Sequence, residues 1–123
     1  MTYCGKPEYF MRSEKLYLAD IDEAIASVAR WMDGCDEMGF QANEMLQSAV
    51  LQKLSVIGEA AARFSAETWA RAPQVPWKEI VGFRNAAIHA YFSVDWRVIY
   101  VTAKDDLLGL RQAVRFLLAV PNN

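Results

Sequence analysis

Asn43-Glu44-Met45-Leu46-Gln47-Ser48-Ala49-Val50-Leu51-Gln52-Lys53-Leu54-Ser55-Val56-Ile57-Gly58-Glu59-Ala60-Ala61-Ala62-Arg63-Phe64 reads as one long helix. Leu46, Val50, Leu54, Ile57, Ala61 and Phe64 recur at steps of three and four, the spacing that places apolar side chains on one helical face. Asn43 has the side chain of a helix N-cap. Gly58 costs such a helix about 1 kcal/mol relative to alanine, so its presence points to another segment packed closely against it.

Working outward, Leu18, Ile21, Ile25, Val28 and Met32 repeat the pattern after Ser13, with Glu14 in the first turn and Gly34 as terminator. The segment Arg71-Ala72-Pro73-Gln74-Val75-Pro76 breaks it, and Pro76 suits the first position of the next helix. That helix is expected from about Trp77 through Tyr91. Ser93 is placed to cap a short helix beginning near Asp95, and Thr102 with Asp105 resembles the start of a last one striped by Leu107, Leu110, Val114 and Leu117. Nothing alternates with a period of two. The expected fold is all-α, an up-and-down bundle of four to five helices.

A chain of 123 residues fits one domain, and 54% hydrophobic residues with four tryptophans suggest that some apolar surface is shared between subunits. Net charge of −2 and a pI near 5.4 argue against coating nucleic acid through bulk positive charge, so any such contact is local. Cys4 and Cys35 make neither a disulfide framework nor a zinc site, which suits a reducing, cytoplasmic setting. The N-terminus lacks the pattern of a signal peptide. The apolar stretch from Ala113 to Val120 contains Arg115 and is far shorter than the ~20 residues of a membrane span.

The chemistry concentrates in Arg84-Asn85-Ala86-Ala87-Ile88-His89-Ala90-Tyr91, which holds the chain's single histidine. On a helix Asn85 and His89 share a face, with Arg84 to one side and small residues between. A polar site at a helix interface is the expectation, with His89 the residue best suited to proton transfer near neutral pH.

Val56-Ile57-Gly58-Glu59-Ala60-Ala61, Val75-Pro76-Trp77, Gly82-Phe83-Arg84-Asn85 and His89-Ala90-Tyr91-Phe92 followed by Val94-Asp95 together resemble the HepT-like branch of the HEPN superfamily, the minimal helical ribonucleases of toxin–antitoxin operons. The resemblance covers about Met11 to Leu118; the domain is expected over residues 11–120, with residues 1–10 an N-terminal extension. It implies a HEPN-like homodimer whose two motifs face each other, metal-independent RNA cleavage without a cofactor, and a nucleotidyltransferase antitoxin that transfers AMP to Tyr91.

RNA carries its own nucleophile, because a ribose 2′-OH can attack the adjacent phosphate when a base takes its proton and a cation steadies the phosphate oxygens. His89 and Arg84 are the right types, Asn85 would orient one or the other, and a dimer supplies the second imidazole that one chain lacks. Products would end in 2′,3′-cyclic phosphate and 5′-OH. Plainer readings stand beside this one. His89 as a structural histidine, a noncatalytic helical module that binds nucleotide or holds substrate for a partner nucleotidyltransferase, and a dimer whose motif only packs all fit the same residues. Glu59 has either an ordinary ion pair with Arg63 or a supporting place near the site. Asp20, Asp22 and Glu23 read as solvated helix surface rather than a metal site, the tryptophans as packing rather than base stacking, and Lys78, Arg97, Arg111 and Arg115 as scattered surface charge.

Overall fold

The computed structural model describes residues 13–85 and 95–120, and among them there is no strand. The order is α1 (Glu14–Met32), α2 (Glu37–Gln41), α3 (Glu44–Ala61), α4 (Ala66–Arg71), α5 (Trp77–Gly82) with a 3-10 turn at Phe83–Asn85, α6 (Trp96–Val101), a π-helical turn at Thr102–Asp106, and α7 (Leu107–Ala119). The all-α expectation holds among the described residues, which form a helical bundle.

Short polar side chains start these helices. Ser13 accepts from the Lys15 backbone N–H at 3.2 Å, Asp36 from Gly39 at 2.8 Å, Asn43 from Leu46 at 3.0 Å, and Asp95 from Arg97 at 3.0 Å, each satisfying an orphan first-turn donor. Gly34, at φ 74°, takes the left-handed conformation just beyond α1 that glycine adopts without strain.

Several boundaries differ from the sequence expectation. Pro76 is the N-cap of α5 rather than its first helical residue. The helix expected through Tyr91 ends as an α-helix at Gly82 and tightens over Phe83–Asn85; its remaining residues, and the Ser93 cap, lie outside the described part. Thr102 does not begin a separate helix. It is buried, keeps helical torsions, and its N–H already bonds Val98 and Ile99 carbonyls, so the chain passes from α6 to α7 through the π turn without a break.

α1 packs along both α3 and α7, burying Ile21, Ile25, Val28, Val50, Leu54, Ile57, Leu107 and Val114 in one core. Aromatic side chains close its ends. Trp69 stacks on Trp77 with centroids 6.2 Å apart, Phe64 meets Trp77 edge-on at 5.6 Å, and Phe40 meets Trp96 edge-on at 6.0 Å. Trp31, in contrast, is exposed, with the Lys53 ammonium above its ring.

Polar ties hold the frame. The Lys15 ammonium donates to the carbonyls of Leu117, Leu118 and Val120, placing a cation where α7 leaves carbonyls unpaired. Glu14 accepts from the Ser65 backbone and the Thr68 hydroxyl, joining α1 to α4. Asp22 is not merely solvated, as expected above: it bonds Arg111 at 2.9 Å and Arg115 at 3.1 Å across from α7. The helix wheel of α1 alone gives no sight of that neighbour.

Gly58 sets the position of α5. A Cβ at this residue would lie 2.9 Å from both the Ile80 carbonyl oxygen and the Phe83 carbonyl carbon and would collide with the Arg84 backbone nitrogen. Gly58→Ala is therefore expected to lower stability by about 2–3 kcal/mol through overpacking, read as a lower urea midpoint at unchanged slope. Burial alone would raise the pKa of Asp22, but hydrogen bonds and charge from Arg111 and Arg115 outweigh it and hold the carboxyl below its ordinary value. A depressed carboxylate contributes stability above its unfolded pKa of about 3.9, and that stability is lost as pH falls through the lower folded value. Asp22→Asn is expected to reduce the loss of thermal stability between about pH 4 and pH 2.

Candidate functional site

The close approach at Gly58 carries Arg84 to the outer edge of α3. Arg84 and Asn85 both occupy the 3-10 turn, and both are exposed. His89 and Tyr91, expected beside them, lie outside the described residues.

Arg84 closes one end of an open recess of about 440 Å³ whose other lining residues are Ser48, Gln52, Ser55, Val56 and Glu59 of α3. Glu59 follows Gly58 in sequence, is exposed, and lines the same recess as Arg84. Among the described residues no ion pair joins it to Arg63, nor to Arg84. Arg84 makes no hydrogen bond or ion pair with another described residue, leaving its five donors for a ligand.

Several other cations are differently placed. Lys15 and Lys104 are engaged with carbonyls, and Arg111 and Arg115 with Asp22, so these two arginines are not the scattered surface charge expected from the sequence. A larger recess of about 560 Å³ lies between α5 and the α6–α7 helix, lined by Val75, Ile80, Phe83, Val98 and Leu110. Its charged lining residues are Glu79 and Asp106, with no lysine or arginine, so it does not suit a phosphate. Near Lys15 and Arg71 a third recess is polar, but its lysine already binds the end of α7. Arg71 also makes no hydrogen bond or ion pair with another described residue, but two carboxylates, Glu14 and Glu67, line its recess and oppose an anion there, against one, Glu59, beside Arg84.

Ser48, Gln52 and Ser55 were not singled out from the sequence. Polar residues on the outer face of an amphipathic helix look like ordinary solvated surface, and only the crossing of α5 over Gly58 shows that this face ends at an arginine.

Among the described residues no group of three or more His, Cys, Asp or Glu side chains is arranged to hold a metal ion, and no helix is long and apolar enough to cross a membrane.

The sequence model of the family described as "Ribonuclease HepT-like" matches residues 21–117. The "Probable ribonuclease HepT" of Thermococcus cleftensis is 37% identical over 100 residues, covering 81% of this chain and 91% of that protein. A Methanocaldococcus jannaschii protein bearing an RNase name is 34% identical over 106 residues, covering 86% and 97%. Another with an RNase name, from Caldanaerobacter subterraneus subsp. tengcongensis, is 31% identical over 108 residues, covering 88% and 96%. No solved structure matches the chain significantly.

Proposed function

The chain belongs to the HepT-like ribonuclease family, and from that premise we propose that it is a metal-independent RNA endonuclease, the toxin of a toxin–antitoxin pair, acting through Arg84, Asn85 and His89 at the interface of a homodimer. The observation that carries the reading is the exposed, unengaged Arg84, held beside an open recess by the backbone crossing at Gly58. We take residues 11–120 as the functional domain, with residues 1–10 as an extension, and the cytoplasm as its setting.

In this mechanism Arg84 grips two oxygens of the scissile phosphate through its planar fork. One His89 takes the 2′-OH proton; the 2′-oxygen bonds to phosphorus, the bond to the 5′-oxygen breaks, and the second protomer's His89 or water protonates the leaving oxygen. Asn85 orients the imidazole or the phosphate. A guanidinium supplies the charge stabilisation that other nucleases take from a metal ion.

Regulation falls to Tyr91. AMP attached there by a partner nucleotidyltransferase would set a bulky anion in the path of the RNA phosphate, blocking it by volume and like charge.

Protein verified by mass to be free of AMP is expected to cut total RNA in EDTA and to leave 2′,3′-cyclic phosphate ends. His89→Ala and Arg84→Ala should each lower the rate by at least about a hundredfold while remaining folded. A strict requirement for magnesium or manganese would refute the mechanism. Ligand binding without any cleavage would favour a noncatalytic nucleotide-holding module instead. In cells that co-express the antitoxin, Tyr91→Phe should stay toxic where the parent is neutralised, and equal rescue of both would exclude AMPylation at this residue as the control.

A further inference from the structure

Ser48, Gln52, Ser55 and Glu59 follow one another at steps of four, three and four residues, so they form a row along one face of α3 that ends beside Arg84. The row runs roughly 16 Å along the helix axis. Its positions are distinct from Val50, Leu54, Ile57 and Ala61, which are the buried stripe of the same helix. Folding therefore leaves the chemistry of the row unused.

Two observations point to a ligand there. The Ser55 hydroxyl is enclosed and has no hydrogen-bond partner, a state that proteins rarely leave unrelieved. Glu59 and Arg84 line one recess, carry opposite charges, and are not paired with each other.

The charges decide which part of a nucleic acid lies along the row. Arg84 is the single cation lining the recess, and Glu59 repels a second phosphate placed next to the first. Phosphates thus cannot track the row. What it presents are an amide that donates and accepts, the exposed Ser48 hydroxyl, and a carboxylate that only accepts, with the enclosed Ser55 hydroxyl behind them. These are the groups that bind base edges, and such edges are accessible where RNA is single-stranded. A carboxylate accepts from the amino groups of cytosine, adenine or guanine, whereas uracil has no exocyclic amino group.

We propose that the Ser48–Gln52–Ser55–Glu59 row is a base-reading track for single-stranded RNA adjoining the phosphate held by Arg84, in which Glu59 selects a base bearing an exocyclic amino group. This rests on the ribonuclease reading and adds its substrate preference.

The test is fluorescence anisotropy with labelled 2′-O-methyl oligo(A), oligo(C) and oligo(U), which cannot be cut by 2′-OH attack. The parent, Glu59→Ala, Gln52→Ala and Arg84→Ala proteins are compared, each checked by circular dichroism and size-exclusion chromatography. The parent should bind oligo(A) and oligo(C) at least about fivefold tighter than oligo(U). Glu59→Ala, which removes the acceptor, should bring the three within roughly twofold of one another at unchanged salt dependence, and Gln52→Ala should weaken all three at unchanged salt dependence. Arg84→Ala should weaken all three alike and reduce the slope of log affinity against log salt by about 0.7. Equal binding of the three oligonucleotides by the parent, the parent's preference persisting in Glu59→Ala, or parent-like affinity in Gln52→Ala would overturn the track. So would a change of oligomeric state in Gln52→Ala with base preference intact, because the row would then pack against a second copy. Cleavage of unmethylated RNA is read separately: base preference without cleavage keeps the track and removes the ribonuclease reading, and cleavage without preference does the reverse.

Discussion

The backbone contact between Gly58 and the Ile80–Arg84 segment is the constraint on which the candidate site depends. Two segments approach so closely there that even a methyl group would collide with the Arg84 nitrogen. The cost of glycine within a helix, about 1 kcal/mol, is offset by a crossing that no other residue permits. The crossing does two things together. It brings Ile80 and Phe83 to the side of α3, and it sets Arg84 at the rim of that helix's polar face. A residue twenty-six positions downstream of Gly58 thereby becomes the neighbour of Glu59.

Several charges in this protein are committed to the frame. Lys15 holds the end of α7, Lys104 holds the Met32 carbonyl at the end of α1, and Asp22 gathers Arg111 and Arg115. These ties cross between helices far apart in sequence, where hydrogen bonds to a charged group contribute more than an exposed ion pair does. Arg84 is outside that scheme. An arginine with no engagement among the described residues, fixed by its backbone and not by its side chain, can meet an anion without first breaking a native contact. In a chain of net charge −2, recognition of RNA must work through such local arrangements, not through a broad basic surface.

Much of the fold was legible because long amphipathic helices write their buried faces into their spacing. The stripes through Leu18–Met32, Leu46–Ala61 and Leu107–Leu117, the caps at Ser13 and Asn43, the stop at Gly34 and the close packing at Gly58 all lie where local rules place them. Short helices such as Glu37–Gln41 and Ala66–Arg71 went unread because a single turn or two shows no period. Thr102 looked like a cap by residue type, but a helix is interrupted only when the preceding carbonyls lose their donors, and here the Thr102 N–H keeps them. For the site, Arg84 and Asn85 were legible as chemistry and Glu59 as a neighbour. The recess itself was not, since Ser48, Gln52 and Ser55 acquire meaning only from a crossing in three dimensions.

The central claim is that Gly58 serves the site through Arg84, and a double-mutant cycle on RNA cleavage tests it most directly. Gly58→Ala, Arg84→Lys and the combined variant are compared with the parent at a temperature where all are folded. If the crossing positions the guanidinium, Gly58→Ala slows the parent strongly and slows the Arg84→Lys protein much less, because the fork that depended on position is already gone. Equal factors in both backgrounds would contradict the account, showing that the glycine and the arginine act independently.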